Sequence, residues 1–442
     1  MHLTRFYILR TVKPLPTRIA ILALAAAASL HAADSWVACW TAAAHGPYPT
    51  GNAVAQPDLR DILPAAGAND QTFRLIVKPD LWGKRIRLRF TNVFGDRPIT
   101  IDGAYAGMHA GAGRIGPHTN RPVLFDRGKP AATVEPGKFV YSDPVTLDYL
   151  PPIAAPDARK LAVSFHIAGA SGPLTWHAKA LTTSYLTGPR AGSHGGEEAS
   201  DAFPFTTTSW YLLDEVEVMA PAGTKVVAAF GDSITDGTNS TINGDDRWPD
   251  FLSQRLHASA GTRVVVVNTG IGGNRIVGPE TYDKTKPFSG GPSALDRLDR
   301  DVLSIPGLDT VVWLEGINDI GAGASVEAVE EGFRKGVARL HERHIRVVGA
   351  TITSALSSAG ASGTPEADAK RKAINQFIRT AGVFDGVADF DAASIDTATG
   401  ALRPAFQPTS SIGGPGDRLH PNRAGYQAMA GSIDLKLLPG TR

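Results

Sequence analysis

The strongest constraint on this chain is a repeating texture in its C-terminal half. Residues 226–230, 264–267, 310–314 and 347–352 are continuous apolar runs, and 387–390 is a weaker one. Runs that are apolar at every position suit strands buried on both faces of a parallel sheet. Helix-period segments lie between them. The clearest places Val326, Val329, Phe333, Val337 and Leu340 three or four residues apart. Others fall at 248–256, 294–303, 366–379 and 425–437. This strand–helix alternation predicts a three-layer α/β/α domain around a doubly wound parallel sheet. In such folds, sites form where strands end at their carboxyl edge.

The chain before residue 220 has a different texture. Residues 84–92 alternate, with Ile86, Leu88 and Phe90 on one face, and 161–167 alternate in the same way. Gly, Pro and Asp punctuate these runs at 95–98, 111–117, 136–137 and 151–157. Short alternating runs with regular turn signals predict a β-sandwich-like N-terminal domain. No useful helix-period segment appears between 36 and 214.

The first residues read as a targeting segment. Arg5, Arg10, Lys13 and Arg18 precede an apolar run over 19–30, and Ala32 and Ala33 follow. A basic region, a short apolar region and small residues describe a secretory signal. The expected organisation is a signal peptide over 1–33, a β-rich accessory domain over 34–220 and a catalytic domain over 221–442. The expected location is periplasmic or extracellular, with no stable membrane insertion. Four of the 44 basic residues and none of the 43 acidic ones lie in the first 32 positions, so the remainder is slightly acidic. That balance argues against nucleic acid as a partner. The single cysteine, Cys39, allows no intramolecular disulfide and is expected to be a small buried hydrophobe.

Four short blocks carry candidate chemistry. The first apolar run leads into Gly231-Asp232-Ser233-Ile234-Thr235-Asp236-Gly237. A strand, a Gly-flanked turn and a helix would hold Ser233 at the sheet edge as a nucleophile; alternatively, Ser233 caps the helix. It is not a G-x-S-x-G elbow, because Thr235 occupies the second Gly position. The second run leads into Asn268-Thr269-Gly270-Ile271-Gly272-Gly273-Asn274, which is either an exposed amide donor or an ordinary Gly-rich turn. The dinucleotide fingerprint fails there for want of the third Gly. The third run leads into Glu315-Gly316-Ile317-Asn318-Asp319, where Asn318 is either a neutral donor for an oxyanion or an Asx-turn residue. The last block, Asp417-Arg418-Leu419-His420, precedes a helix and could pair a carboxylate with an imidazole as orienting acid and general base.

Taken in order, these blocks resemble those of the SGNH hydrolases, the GDSL esterase/lipase family, across roughly residues 225–438. The resemblance implies an SGNH, flavodoxin-like sheet and an EC 3.1.1-type esterase that needs no metal or cofactor. It implies that Ser233 is the nucleophile, His420 the general base and then acid, and Asp417 the residue that orients His420. It also implies an oxyanion hole made of the Ser233 amide, the Gly273 amide and the Asn318 side chain. Gly273 is preferred over Gly272 because the family's Gly precedes a polar residue, here Asn274. Ile234 stands where the family name implies Leu. The segments 36–40, 90–95, 246–249 and 315–319 are similar to a subgroup of secreted two-domain, xylan-esterase-like members. That points to a small acyl ester or an acetylated polysaccharide as substrate. A lipase or general aryl esterase is the alternative, and a glycan-binding protein with an inert hydrolase-like domain is a third.

Other titratable residues read as structural. His341 and His344 lie three apart without H-E-x-x-H spacing, at what reads as a solvated helix end. His166 and His177 read as satisfied residues of the β-rich segment. Asp232 and Asp319 read as braces for turn amides, and Arg247 and Trp248 either brace the nucleophile turn or line the pocket. The N-terminal segment reads as a packing partner that shapes the cleft, with a carbohydrate-binding module as the alternative.

Overall fold

The computed structural model describes residue 2 and residues 33–440. The signal expected over 1–33 lies outside the described residues, His2 and Ala33 excepted. No helix among the described residues is long and apolar enough to cross a membrane.

The apolar runs of the C-terminal half form one five-stranded sheet, parallel throughout. Its strand order is Val264–Gly270, Lys225–Gly231, Leu308–Leu314, Arg346–Ala350 and Gly386–Ala388. The second strand in sequence thus lies outside the first, and the chain then crosses back. That reversal creates a crevice at the carboxyl edge beside the first strand.

Successive side chains alternate between two buried layers. Val226, Ala228 and Phe230 pack with Phe333, Val337, Leu340 and Ile374 of the helices Val326–His341 and Pro365–Thr380. Val227 and Ala229 pack with Trp248, Leu252, Leu256, Tyr426 and Met429 of Trp248–Ala260 and Arg423–Ser432.

Three segments differ from their expected form, each for a local reason. The strand expected over 387–390 stops at Ala388, because Asp389 accepts from the Ala392 amide and caps a short helix, Phe390–Ser394. The segment 294–303 starts as Ala294–Leu298, capped by Ser293, and continues as a π-turn. The last helix ends at Ser432, and Leu435–Leu437 forms a separate single turn.

The N-terminal region is β-rich, with no helix between residues 33 and 220. Its strands form two main antiparallel sheets. One is ordered Ser35–Thr41, Leu213–Ala220, Arg85–Thr91 and Phe139–Tyr141; the other is built around Asn69–Val77, Leu161–Ala170 and Ile99–Met108. Ile86, Leu88 and Phe90 are buried as their alternation predicts. Phe90 meets Phe165 of the other sheet edge-on, ring centres 5.2 Å apart. Cys39 is buried and donates to Val216 O.

The two regions share a core rather than merely touching. Val37, Leu88 and Phe165 belong to the same continuous apolar cluster as Val226, Ala228 and Phe230. Polar bonds cross the junction as well. Asp80 accepts from Val266 N at 2.6 Å, from Ser253 Oγ and from His257 Nε2 at 3.1 Å. Thr41 Oγ1 donates to Asn268 O at 2.9 Å, and Arg300 donates to Ala44 O at 2.8 Å.

Arg297 ties the carboxyl edge of the sheet together. Fully buried, it donates to Gly231 O (2.9 Å) and Thr269 O (2.7 Å), one at the end of each of two neighbouring strands. It also donates to Asn274 Oδ1 at 2.7 Å and pairs with Asp301. Arg297→Met deprives Thr269 O and Asn274 Oδ1 of this donor and leaves the buried Asp301 without its Arg297 partner, while Gly231 O keeps the Ile271 amide; it should lower unfolding free energy by about 3 kcal/mol in urea denaturation. A loss under about 1 kcal/mol, within the range of an ordinary substitution, would show that the strand ends are held without it.

Candidate active site

Ser233 follows the first strand of the sheet directly. Gly231 must be glycine there, since a Cβ would lie 2.1 Å from Leu314 O of the adjacent strand. Asp232 then caps a one-turn helix, Ser233–Asp236, by accepting from Ile234 N at 2.9 Å. The turn closes at Gly237, whose φ of 98° is in the left-handed region. Ser233 therefore sits at the first position of a helical turn, at the crevice of the sheet.

His420 arrives from the other end of the domain. Ser233 Oγ lies 2.7 Å from His420 Nε2, and His420 Nδ1 lies 2.5 Å from Asp417 Oδ2. The carboxylate can only accept, so Nδ1 carries the proton and Nε2 is left to accept from the Ser233 hydroxyl. Asp417 is itself fixed by its own turn, because its Oδ1 accepts from the amides of Leu419 (3.0 Å) and His420 (2.8 Å). Burial alone would raise the Asp417 carboxyl. The bond from His420, the charge of His420 and the two amides outweigh burial and hold the carboxyl well below the usual carboxylate range. Asn239 anchors the loop from the other side by donating to His420 O at 3.3 Å.

The Gly-rich turn after the second strand lies alongside. Gly270 packs so close to the nucleophile turn that a Cβ would come within 2.4 Å of Asp236 N. Gly272 donates its amide to Asp236 Oδ2 at 2.8 Å, so that N–H is already engaged. Neither the Gly273 nor the Ser233 amide has a hydrogen-bond acceptor among the described residues. Gly273 has a φ of 83°, in the left-handed region. Asn318 sits in the short helix Ile317–Gly321 after the third strand. Its Nδ2 donates to Asn274 O at 3.0 Å and, at a long 3.4 Å, to Asp232 Oδ2. The structure thus gathers Ser233, Asp417, His420, Gly273 and Asn318 at one edge of the sheet.

The neighbouring acids act as braces. Asp319 accepts from Ile276 N and Val277 N, both at 3.0 Å, and holds the loop beyond the Gly-rich turn. Burial pushes the Asp232 carboxyl up to about 7, with the Ile234 amide opposing. Trp248 is fully buried against Phe390. Arg247 donates to Ala180 O and lies against Gly237. Arg247 therefore braces the turn, and it also lines a cavity with Trp40, Trp210 and Asp250. His341 pairs with Asp385 at 2.9 Å. No group of three His, Cys, Asp or Glu side chains is placed to hold a metal among the described residues.

Residues 229–428 match the GDSL-like Lipase/Acylhydrolase family. This match supports an ester hydrolase as the reaction class. Solved structures with likeness to the chain include the lipase/acylhydrolase from Enterococcus faecalis (21% identity, 47% of this chain and 93% of that one, TM-score 0.35). A GDSL-like lipase from Bacteroides thetaiotaomicron is 17% identical over 48% of this chain and 88% of its own, with a TM-score of 0.36. A member of the lipolytic G-D-S-L family from Veillonella parvula is 18% identical over 47% and 95%, with a TM-score of 0.34. No curated protein matches the chain.

Three residues of the N-terminal region reach this site; sequence reasoning passed over Lys179 and Asn52 and read His177 only as a satisfied structural residue. His177 Nε2 lies 3.1 Å from Asp236 Oδ1, so His177 is satisfied, as expected of a structural residue, but by an acid of the nucleophile turn. Lys179 is buried beside the same turn and donates to Thr238 Oγ1. Asn52 Nδ2 donates to Gly272 O at 2.6 Å. Only the Gly/Pro-rich loop before Asn52 hints at a constrained approach; nothing in the sequence links it to residue 272.

Glu315 sits beneath the site. It accepts from Trp313 Nε1 at 2.8 Å, while its Oε1 has no partner among the described residues. Burial pushes its carboxyl up to about 8, against the pull of Arg297. The folded state therefore holds this proton at pH values where the unfolded chain, near 4.3, has lost it. The resulting stability is fully present below about pH 4 and is lost as pH rises toward about 8. Glu315→Gln keeps an acceptor for Trp313 and has no proton to lose. Its Tm relative to the parent should rise steadily from pH 5 to pH 8. A constant difference across that window would exclude a shifted Glu315.

Proposed function

We propose that the protein is a secreted serine carboxylic ester hydrolase that removes small acyl groups, acetyl foremost, from a glycan or another small-acyl ester. The observation that carries this reading is the contact chain from Ser233 Oγ through His420 to Asp417, at 2.7 and 2.5 Å, within the family-matched region. Secretion rests on the basic, then apolar, then small-residue order of the first 33 positions. We read 34–220 as a sandwich-like accessory domain and 221–442 as the catalytic domain, in the manner of the xylan-esterase-like subgroup.

In this mechanism His420 takes the Ser233 proton as Oγ attacks the ester carbonyl. Asp417 keeps the imidazole in the tautomer that can accept and stabilises the imidazolium that forms. The oxyanion is received by the Ser233 and Gly273 amides, which have no competing acceptor, and by Asn318 Nδ2. An incoming oxyanion would replace the long Asn318–Asp232 contact. His420 then protonates the leaving alcohol and activates the water that releases the acid from Ser233. The loop over 276–291, rich in Gly, Pro and polar residues, favours a polar substrate over a long acyl chain.

Ser233→Ala should abolish hydrolysis of p-nitrophenyl acetate and labelling by a fluorophosphonate; parent-like activity in that variant would sink the reading. Asn318→Ala should fold normally and lose about 10²–10³ in kcat, the usual cost of one oxyanion donor. A panel of p-nitrophenyl acetate, butyrate and palmitate beside acetylated xylan should show kcat/KM falling with acyl length and acetate released from xylan. Palmitate as the best substrate would turn the reading to a lipase.

A further inference from the structure

Gly272 is gripped at both of its backbone polar groups, and the N-terminal region is behind each grip. Its carbonyl accepts from Asn52 Nδ2 at 2.6 Å. Its amide donates to Asp236 Oδ2 at 2.8 Å, and the other oxygen of Asp236 faces His177 Nε2 at 3.1 Å. His177 is anchored in turn, because its Nδ1 lies 2.9 Å from Ala43 O. His177 and Asp236 are both almost wholly buried, at 4% and 1% exposure, so this pair is shielded from competing water.

The fit around the turn is close, so that a side chain at either glycine would push against the ends of N-terminal side chains. A Cβ on Gly272 would lie 2.7 Å from Lys179 Nζ, and one on Gly273 would lie 2.6 Å from Asn52 Nδ2. The loop over 276–291 is bound to the same region. Tyr282 donates its hydroxyl to Gly46 O and packs edge-on against Phe94, with ring centres 5.4 Å apart.

Two adjacent glycines have the largest backbone freedom a chain can have. An oxyanion donor works only if its N–H is aimed before the charge develops. A Gly-Gly turn therefore needs an outside hold; Arg297 and Asn318 hold Asn274 beyond the pair, and from the C-terminal region Asp236 holds the Gly272 amide itself.

We propose that the N-terminal β-rich region is a working part of the catalytic site: Asn52 and the His177–Asp236 pair clamp Gly272 and thereby aim the Gly273 amide at the oxyanion. Asn52 and His177 are positioning residues, acting through the turn and not on the substrate. The inference rests on the esterase reading above.

The test uses the full chain with Asn52→Ala, His177→Phe and His177→Gln, assayed on p-nitrophenyl acetate beside Ser233→Ala. Asn52 is half-buried, so its truncation should leave Tm nearly unchanged. Removing either hold should lower kcat about tenfold, less than the loss of a donor itself, with KM within about twofold. His177→Gln, whose side-chain amide can still donate to Asp236, should recover most of the loss seen in His177→Phe. A kcat for Asn52→Ala within about twofold of the parent, or a His177→Gln variant as slow as His177→Phe, would overturn the clamp. An inactive Ser233→Ala beside an undiminished Asn52→Ala would refute the clamp alone. Persistent activity of Ser233→Ala would instead refute the esterase reading on which it stands.

Discussion

One buried guanidinium sets the geometry on which the rest of the site depends. Arg297 reaches carbonyls at the ends of two neighbouring strands, Gly231 O and Thr269 O, close to where each strand leaves the sheet for a functional turn. Strand-end carbonyls have no ladder partner beyond the sheet, and buried ones need a donor. A single Arg donates to both, joined at Gly231 O by the Ile271 amide, and also fixes Asn274, whose amide donates to Gly290 O and Pro292 O. The nucleophile turn and the oxyanion turn are thereby referred to one rigid centre. The cation is balanced by Asp301 and shielded by the face of Phe230. Such an arrangement tolerates burial because each nitrogen of the fork donates to an acceptor.

Around that centre, charges are arranged by what each must hold. Asp417 stays ionised because its hydrogen bonds outweigh its burial. Asp232 and Glu315 are pushed the other way because burial outweighs theirs. Asp236, equally buried, is held below its usual range because His177 and Lys179 overcome desolvation. The acid that supports the oxyanion turn and the acid that orients His420 are thus the two kept anionic. One of them depends on side chains of the N-terminal region for that state.

Much of the C-terminal region was legible because its signals are local. A strand buried on both faces must be apolar throughout, so the four strong runs correspond to strands. Turn chemistry that ends a strand is written beside it, as in Gly231-Asp232-Ser233. The weak run at 387–390 does hold a strand, but it ends at Ala388 because Asp389, a capping residue, lies inside the run and wins locally over its apolar neighbours. The π-turn after Leu298 leaves no pattern that distinguishes it from helix. Arg297, Asn52 and Asp80 were not legible, since each acts on residues tens to hundreds of positions away. Their identities are compatible with any solvated surface until the partner is seen. His177 illustrates the limit well. The expectation that it is a satisfied structural residue is correct as to its hydrogen bonds and silent as to what those bonds support.

The junction between the two regions also bears on how binding and catalysis are divided here. A detachable binding module would meet its neighbour through a small, independent surface. In this protein one apolar cluster runs through both regions, and Asp80, Thr41 and Asn52 bond to backbone of the strand Val264–Gly270 and the turn that follows it. These contacts fall along the second strand from Val266 to Gly272, ending beside the turn whose rigidity matters most. Glycine at 272 and 273 makes that turn narrow enough to admit Asn52 and Lys179, and their presence in turn removes the freedom that glycine brings. Close approach and restraint are therefore two consequences of the same packing, which is why the N-terminal region cannot be treated as separate from the chemistry at Ser233.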